Sequence, residues 1–420
     1  MDCRIKEMIE QTKTAFGLEH YYLKSYTINR DVNHFQEMIY TLSMEWFPEG
    51  VEAIEEDVNP PGTAVIELNI HTHEYVSAIF VMEKTYAEHG IQFSGDMKAS
   101  VIQWVERETG LTYNDHFQLL KEAGNAYAFA CVYEGVKLSP LMMIEVKHDE
   151  QGRLTFFSAN YSADAFKKVK KEAYTLTLSR VEHLVKEQVK LIHMPLFEEE
   201  RIIPMYAAEE IYVTNETLSK VPINFLDRPY VSMKEKMTYE QIEHNEFMRQ
   251  PLDFTETLTV DQAFSLESSR EILPIILTEQ EKCQVAVKNC LQKEYPNESG
   301  QWLLKTLHRD KDYIIATLRL INEEEPLIWK RKLTVIIDGK TYEPINIVDN
   351  QMMLETFASF AKPKPVTINE EAAYNKLYSR LIFEPVYVYD FTKEQYILCG
   401  KIDCHYSVHA QTGEVMSLDD

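Results

Sequence analysis

The feature that most constrains this fold is an internal repeat with a constant spacing of 190 residues. Leu191-Ile192-His193-Met194-Pro195 recurs as Leu381-Ile382-Phe383-Glu384-Pro385, and Tyr206 recurs at the same spacing as Tyr396. A duplicated segment predicts two copies of one structural unit, each able to bury its own apolar face. The repeat therefore constrains the architecture far more than the chemistry.

Both copies begin with the same helical spacing. Apolar residues share one helical face in each copy: Met97, Val101, Trp104 and Val105 after Asp96, then Cys283, Val287, Cys290 and Leu291. A capping box, Thr278-x-x-Glu281, predicts the start of the second helix. Because two cysteines replace Met and Trp on this face, they are expected to be core residues rather than metal ligands or redox groups.

Strand patterns follow each helix. Leu119-Leu120-Lys121 matches Leu303-Leu304-Lys305, and Asp338-Gly339 is typical of a hairpin turn that needs positive φ. A further helix is expected in each copy, capped by Ser179-x-x-Glu182 in the first and by Thr367-x-x-Glu370 or Asn369 in the second. The absence of regular β-α-β alternation favours an α+β fold.

The predicted fold is therefore α+β, with two tandem copies of a helix plus antiparallel-sheet module. Residues 1–94 form a lead-in with a helix and a strand from Ile66 to Ala78 or beyond. The first repeat covers 95–215, the connector with a second lead-in covers 216–274, and the second repeat covers 275–420.

Charge and composition exclude several classes of function. The formal charge of −24 argues against nucleic acid or an anionic membrane as partner, because phosphate binding depends on clustered Lys and Arg. The densest basic group, Lys167-Lys168 with Lys170-Lys171, is expected to be a solvated surface. No window approaches the length of a membrane span, and no signal-peptide pattern begins the sequence. Six cysteines without a C-x-x-C pair favour reduced thiols and a cytoplasmic location.

Several local motifs resemble the YcdB/YcdC repeat domain. They are Tyr133-Glu134-Gly135-Val136, Ile144-Glu145-Val146, the turn from Asp149 to Gly152, and Ser158-Ala159-Asn160-Tyr161. The end of the chain, Ala410-Gln411-Thr412-Gly413-Glu414-Val415, resembles a PepSY-type ending. The resemblance covers roughly 95–215 and 275–418. It implies tandem α+β modules of spore-forming bacteria without an established reaction, and PepSY-like modules that bind or restrain peptidases or act in the cell envelope.

The sequence departs from this family in two ways. It carries no export signal, which argues against an envelope role. The Gly135 turn of the first copy also becomes Asn322-Glu323-Glu324-Glu325-Pro326 in the second, so one copy has diverged.

His71-x-His73, followed by Glu74, is the best metal candidate. On a strand, alternation would place both imidazoles on one face, close enough to hold one ion. A third ligand would have to come from His89, His116 or the His405/His409 pair. The commoner explanation is two histidines on the exposed face of an antiparallel strand.

Two further groups are weaker candidates. Cys399, Cys404, His405 and His409 lie within eleven residues, but their spacing matches no zinc motif. Tyr374 with Tyr378 on a helix, and Tyr387 with Tyr389 on a strand, could form a peptide- or glycan-binding stripe, although core packing is commoner. The acidic runs 55–57, 198–200 and 323–325 are expected to be solvated loops.

The leading hypothesis is a non-enzymatic module that binds a protein or peptide through sheet edges or the groove between copies, without a cofactor. The alternative is a metal-dependent hydrolase using His71 and His73. A third possibility is a structural or assembly component. The sequence assigns no catalytic residue and leaves the partner and the oligomeric state open.

Overall fold

The chain is a mixed α+β protein dominated by β-sheet, in agreement with the predicted fold class. The computed structural model describes residues 1–52, 58–221, 230–241, 246–255, 257–265, 272–321 and 328–418. In these ranges no helix is both long enough and apolar enough to cross a membrane.

The helices are distributed along the whole chain. They are α1 (Cys3–Ala15), α2 (Met97–Thr109), α3 (Leu178–Lys186), α4 (Val260–Ser265), α5 (Leu277–Glu294), α6 (Gln351–Ala358) and α7 (Glu370–Leu377). Short 3₁₀ turns cover Val81–Glu83, Ala163–Lys168 and Tyr378–Arg380.

The strands are numbered in chain order. The first group is β1 (Tyr21–Val32), β2 (Met38–Pro48), β3 (Ala64–Asn69), β4 (Tyr75–Phe80), β5 (Phe117–Ala123), β6 (Ala126–Tyr133), β7 (Val136–Ser139), β8 (Met143–His148) and β9 (Leu154–Asn160). The second group is β10 (Val189–Leu196), β11 (Arg201–Ala208), β12 (Ile211–Thr214), β13 (Lys220–Val221), β14 (Val231–Met237), β15 (Trp302–Asp310), β16 (Tyr313–Leu320), β17 (Lys332–Asp338) and β18 (Pro344–Asp349). The last four are β19 (Ile382–Asp390), β20 (Gln395–Asp403), β21 (Tyr406–His409) and β22 (Val415–Ser417).

The chain forms two compact units, each assembled from segments that are distant in sequence. The first comprises Met1–Glu172, Thr255–Ser268 and Val386–Leu398. The second comprises Ala173–Phe254, Ser269–Pro385 and Cys399–Asp420. The predicted first repeat contributes to both units, since its residues up to 172 lie in the first and those from 173 onward in the second. The four-segment division of the sequence stays a prediction.

The first unit is built on a long antiparallel sheet with the strand order β1-β2-β3-β4-β9-β8-β6. β5 and β7 both pair with β6, and Val386–Val388 pair in parallel with β7. Helix α2 packs on this sheet, where the Trp104 and Phe157 rings meet edge to face with centroids 4.9 Å apart. Val101, Trp104 and Val105 are buried, which confirms the predicted helical face.

The second unit contains an antiparallel sheet with the order β14-β15-β16-β17-β18. Helix α5 packs on it through four buried residues, Cys283, Val287, Cys290 and Leu291. This confirms that both cysteines are core residues.

Two bent strand pairs build the remainder of the second unit. β11 leads into β12 through Glu209 and Glu210 alone, and β20 leads into β21 through Cys404 and His405 alone. Across these bends β11 pairs with β21, and β12 pairs with the end of β20. The hairpin β12–β13 therefore pairs with β20, and the hairpin β21–β22 pairs with β11. In each case the paired strand comes from the other half of the sequence.

A single core lies beneath these crossed strands. It combines α3, β11 and β12 with α7, β20 and β21, through Val181, Val185, Tyr206, Val213, Ala373, Leu377, Ile402 and Val408. The expectation that each copy buries its own apolar face is wrong here. Each two-residue connection carries the chain from one sheet into another. For this reason neither the segment with α3, β11 and β12 nor the segment with α7, β20 and β21 can close a core alone.

The helix caps follow the sequence only in part. Asp96 and Asn369 cap α2 and α7, accepting hydrogen bonds from the N–H groups of Ala99 (3.1 Å) and Ala372 (2.9 Å). In α5 the predicted box is wrong, since Glu279 rather than Glu281 reaches back to the N–H of Ile276 (3.1 Å). The predicted Ser179 cap is also wrong, because α3 begins after Thr177 without a side-chain cap.

The predicted hairpin at Asp338-Gly339 joins β17 to β18. Asp338 caps the turn, accepting a hydrogen bond from the N–H of Thr341 (2.7 Å). The residue with positive φ is Tyr342 (φ 61°) rather than Gly339. Glycine is needed at 339 because of a close approach instead, since a Cβ there would lie 2.6 Å from the carbonyl oxygen of Asp312.

Candidate functional site

His71 and His73 lie in the turn between β3 and β4, not on a strand. The predicted continuous strand from Ile66 to Ala78 is wrong, since the chain reverses after Asn69 and returns as β4. His73 has a positive φ of 59°. Strand alternation therefore gives no reason for the two imidazoles to converge on one ion.

The His71 ring is engaged within the first unit. Its Nε2 lies 2.9 Å from the carbonyl oxygen of Ala263 in α4, and its ring packs beside Tyr40 and Phe264. A carbonyl oxygen only accepts, so this contact requires a protonated Nε2 that cannot bind a metal. His116, one suggested third ligand, accepts a hydrogen bond from the Thr112 N–H at Nδ1 (3.1 Å). Within the described ranges, no three His, Cys, Asp or Glu side chains are grouped to hold an ion.

The C-terminal Cys and His residues have separate local roles. The Nδ1 of His409 accepts hydrogen bonds from the N–H groups of Gln411 (3.1 Å) and Thr412 (3.4 Å), which stabilises the turn before β22. Cys399 and Cys404 are buried. His405 instead lies 3.7 Å from the carboxylate of Asp403. These contacts assign the residues to turn and core structure.

Burial makes the core thiols unreactive. It raises the pKa of Cys131, Cys283 and Cys290 to about 12 in each case. A nucleophilic or metal-binding cysteine needs a thiolate near neutral pH, which usually follows from a lowered pKa. These three residues therefore lack the property on which cysteine chemistry depends.

The tyrosine stripes are core packing rather than a binding surface. Tyr374 is buried, with its ring 5.7 Å from that of the more exposed Tyr378. Tyr387 and Tyr389 are also buried, against Tyr133 (5.7 Å) and Phe35 (4.8 Å) respectively. Little aromatic surface in these pairs is left for a ligand.

Carboxylates pair with every amine of the basic run. The pairs are Lys167–Asp164 (2.6 Å), Lys168–Glu37 (3.0 Å), Lys170–Glu172 (2.9 Å) and Lys171–Glu134 (2.5 Å). The run therefore presents little net positive charge to a phosphate group. Of the acidic runs, Glu199 pairs with Arg201, whereas residues 55–57 and 323–325 lie outside the described ranges.

One surface suited to a partner is the outer edge of β5. This strand pairs with β6 on one side, and no described strand pairs with it on the other. At its start the edge is closed by the Tyr113–Asn114 turn, where the Asn114 N–H donates to the Phe117 carbonyl (2.8 Å). The open part runs from Leu119 to Ala123.

The hydrogen-bonding direction along β6 shows which groups β5 presents outward. The Cys131 N–H donates to the Met142 carbonyl on the β8 side (2.8 Å), so by strand alternation Phe129 and Tyr127 also point toward β8. Their partners on β5 are Leu119 and Glu122. Leu119 and Glu122 therefore direct their N–H and C=O groups away from β6, toward the open edge.

The comparable edge in the second unit is covered. There β15 pairs with β16 on one side and with β14 on the other. In the β14–β15 ladder, Val231 lies opposite Leu307, Ser232 opposite Thr306 and Glu235 opposite Leu304. β14 thus shows how an extended segment from elsewhere in the chain completes such an edge.

Bulges set the correspondence between the two edges. β5 has a bulge at Leu120 and β15 has one at Lys305, each where the strand pairs with the next. This equates Leu119 with Leu304 and Glu122 with Leu307. The sequence match of Leu119–Lys121 to Leu303–Lys305 is one residue out of register with the bulges, and such a slip moves every side chain to the opposite face.

The two edges differ in their side chains. Leu304 and Leu307 are fully buried, whereas Leu119 is half-buried and Glu122 is exposed. Glu122 pairs with Lys98 of α2 at 3.2 Å. Sequence reasoning named sheet edges only in general terms. The sequence does carry a signal of the open edge, since Glu122 stands where the second unit has the apolar Leu307. This signal can be recognised only once the register that aligns β5 with β15 is known.

Comparisons with known proteins leave the chain without a family assignment. No family model matches it, and neither does any curated protein. Among solved structures, the Bacillus megaterium YpeB C-terminal domain aligns over 82% of this chain and 96% of that chain, at 8% identity and a TM-score of 0.26. A TM-score this low establishes neither a shared fold nor a shared function.

Proposed function

We propose that this chain is a non-enzymatic binding protein that captures an extended segment of a partner protein by adding it as a strand to the outer edge of β5. The observation that carries this proposal is the open edge from Leu119 to Glu122, whose counterpart in the second unit is completed by β14. Main-chain hydrogen bonds supply affinity in this mode, and side-chain contacts supply specificity.

The proposal includes a two-copy architecture. The helix and bulged antiparallel strands α2-β5-β6-β8-β9 correspond in order to α5-β15-β16-β17-β18. The resemblance of the sequence to YcdB/YcdC repeats and PepSY-like modules supports the same interpretation and suggests a peptidase as the class of partner. A cytoplasmic location is also part of the proposal, supported by six free cysteines of which five are buried.

Proline substitution tests the site directly. Glu122→Pro removes an N–H that points outward and leaves the pairing of β5 with β6 intact, since proline is tolerated on edge strands. Peptides selected from a random library against the full chain should lose at least about tenfold in affinity for this variant, because a ladder bond is lost and the ring obstructs the edge. Isothermal titration calorimetry measures the effect.

Glu122→Ala is the matched control, because it removes the same side chain and its ion pair but keeps the N–H. Peptides should bind it within about threefold of the unchanged chain. Leu119→Pro, at the other outward position, gives an independent second variant, and circular dichroism checks the folding of all three. The proposal is wrong if selection recovers no binder, or if the recovered peptides bind the proline and alanine variants equally.

The alternative, a metal-dependent hydrolase using His71 and His73, has a separate test. Elemental analysis of protein purified without a histidine tag should find no stoichiometric zinc, because His71 contacts the Ala263 carbonyl through Nε2. Zinc bound in a one-to-one ratio and lost in His73→Ala would favour the hydrolase over the binding module.

A further inference from the structure

We infer that the segment captured by β5 resembles β14 in its pairing but carries a basic residue opposite Glu122. This inference rests on the proposed function and specifies the partner of the same edge. It follows from the differences between the β5 and β15 edges at equivalent positions.

The β14–β15 ladder supplies the template. Val231 of β14 lies opposite Leu307, which is fully buried under α5, and Met233 and Met237 pack against the same core. Both strands have a bulge, and Lys234 of β14 takes a positive φ of 59°. A segment added to a bulged edge of this kind therefore needs a residue in its centre that tolerates the left-handed region.

The β5 edge differs from the β15 edge in its side chains at two equivalent positions. At the position of Leu307 it presents Glu122, which is exposed and pairs with the half-exposed Lys98. An apolar residue such as Val231 would face a carboxylate there, whereas Lys or Arg would form a cross-strand ion pair. At the other end, the Tyr113 ring contacts Phe117 (5.4 Å between centroids) at the place where Met237 meets Trp302 in the second unit.

The expected ligand is consequently shorter than β14. It is an extended stretch of about five residues, equivalent to Val231–Glu235, that pairs with Leu119–Glu122. Its first residue is basic, opposite Glu122, and its centre bulges. It needs no counterpart of Met237, because Tyr113 already covers that position.

Charge reversal tests this inference. The probes are two synthetic peptides that copy Val231–Glu235, one with Val231→Lys and one with Val231→Glu. The full chain should bind the lysine peptide about fivefold more tightly than the glutamate peptide, since a cross-strand pair changes from attraction to repulsion. The chain variant Glu122→Lys should reverse this preference.

The reversal separates a local pair from general attraction to an acidic protein. General attraction to a chain of charge −24 would favour the lysine peptide in both chain variants, and that result would overturn the inference. The inference would also be overturned if the lysine peptide bound Glu122→Pro and the unchanged chain equally, because the peptide would then bind elsewhere. If library-derived peptides bind at β5 while the β14 copies do not, the inference fails and the proposed function stands.

Discussion

The sheet of the first unit and the five-stranded sheet of the second unit are extended at opposite ends. In the first, the sheet continues beyond β9 through β4, β3, β2 and β1, and β5 lies at an edge on the other side. In the second, β14 joins β15, and β18 is the strand at the far edge. Similar helix-and-strand cores can thus be completed on either side.

The side chains at the two edges explain this difference. β15 offers Leu304 and Leu307 to a core that β14 helps to close, whereas β5 offers Lys121 and Glu122 to solvent. Charged residues and a bulge are ordinary means by which proteins keep an open edge from pairing indiscriminately. The β5 edge is therefore protected against indiscriminate pairing while its outward backbone groups stay accessible.

The largest expected effect is on the core beneath the covered edge. Trp302→Ala should lower the free energy of unfolding of the β14–β18 sheet by about 3–5 kcal/mol, because it leaves a cavity. It also removes the hydrogen-bond partner of Glu298 (2.8 Å) and the ring beneath Arg331. Hydrogen exchange should accelerate in β14–β18 and not in β1–β9. Phe117→Ala, its counterpart in β5, should show the reverse pattern, and acceleration in both sheets with either variant would contradict the comparison.

A smaller effect is expected at the start of α5. The Glu279 carboxylate accepts hydrogen bonds from Arg309 (2.8 and 2.7 Å) and from the Tyr342 hydroxyl (2.7 Å). Burial acts to raise its pKa, but these hydrogen bonds outweigh burial and hold the pKa below its usual value of 4.5. Glu279→Gln should cost about 2 kcal/mol at neutral pH, because it leaves the mostly buried Arg309 without its charge partner.

The lowered pKa of Glu279 predicts how the stability cost of Glu279→Gln changes with pH. A lowered pKa stabilises the folded state at pH values above the ordinary pKa of the unfolded chain, and that stability is lost as pH falls through the pKa of the folded state. The difference between Glu279→Gln and the unchanged chain should therefore shrink when urea unfolding is measured from pH 6 down toward about pH 3. Asp96→Asn is the control in the first unit, since asparagine caps as well as aspartate. A constant difference across this range would contradict the role given to Glu279.

The smallest effect is expected at the open edge itself. Lys98→Ala removes the partner of Glu122, and both side chains are more than two-fifths exposed. The change should be no more than about 0.5 kcal/mol in the free energy of unfolding, because such surface pairs are screened. Urea unfolding at low salt and at about 1 M salt should show the difference disappearing. A larger loss that persists at high salt would mean that the edge is part of the core.

Periodic patterns in the sequence predicted helices α2 and α5, whereas α4 and α6 were not predicted. The spacing of Val101, Trp104 and Val105, and of Cys283 and Cys290, identified both buried faces because helix geometry fixes which residues align. Positions that depend on local detail were missed. The β3–β4 turn placed His71 and His73 off the strand, and Glu279 rather than Glu281 capped α5.

The candidate site could not be predicted to the same extent. Exposure of an edge is decided by which strand lies beside it, and nothing in the sequence of β5 states that β14 covers β15 and leaves β5 open. Likewise, the internal repeat predicts two self-contained modules, whereas Tyr206 and Val408 pair across the bends and share a core.

The sequence by itself determined the class of the fold, the buried helix faces and the presence of repeated strand patterns, because these follow from periodicities within a few residues of each other. The tertiary structure alone decided which strands became neighbours, how segments from both halves of the sequence share one core, and that the β5 edge remains open while the β15 edge is covered. Those outcomes depend on pairings between residues as far apart as Val213 and Gly400, whose free energy is gained only when the whole chain has folded.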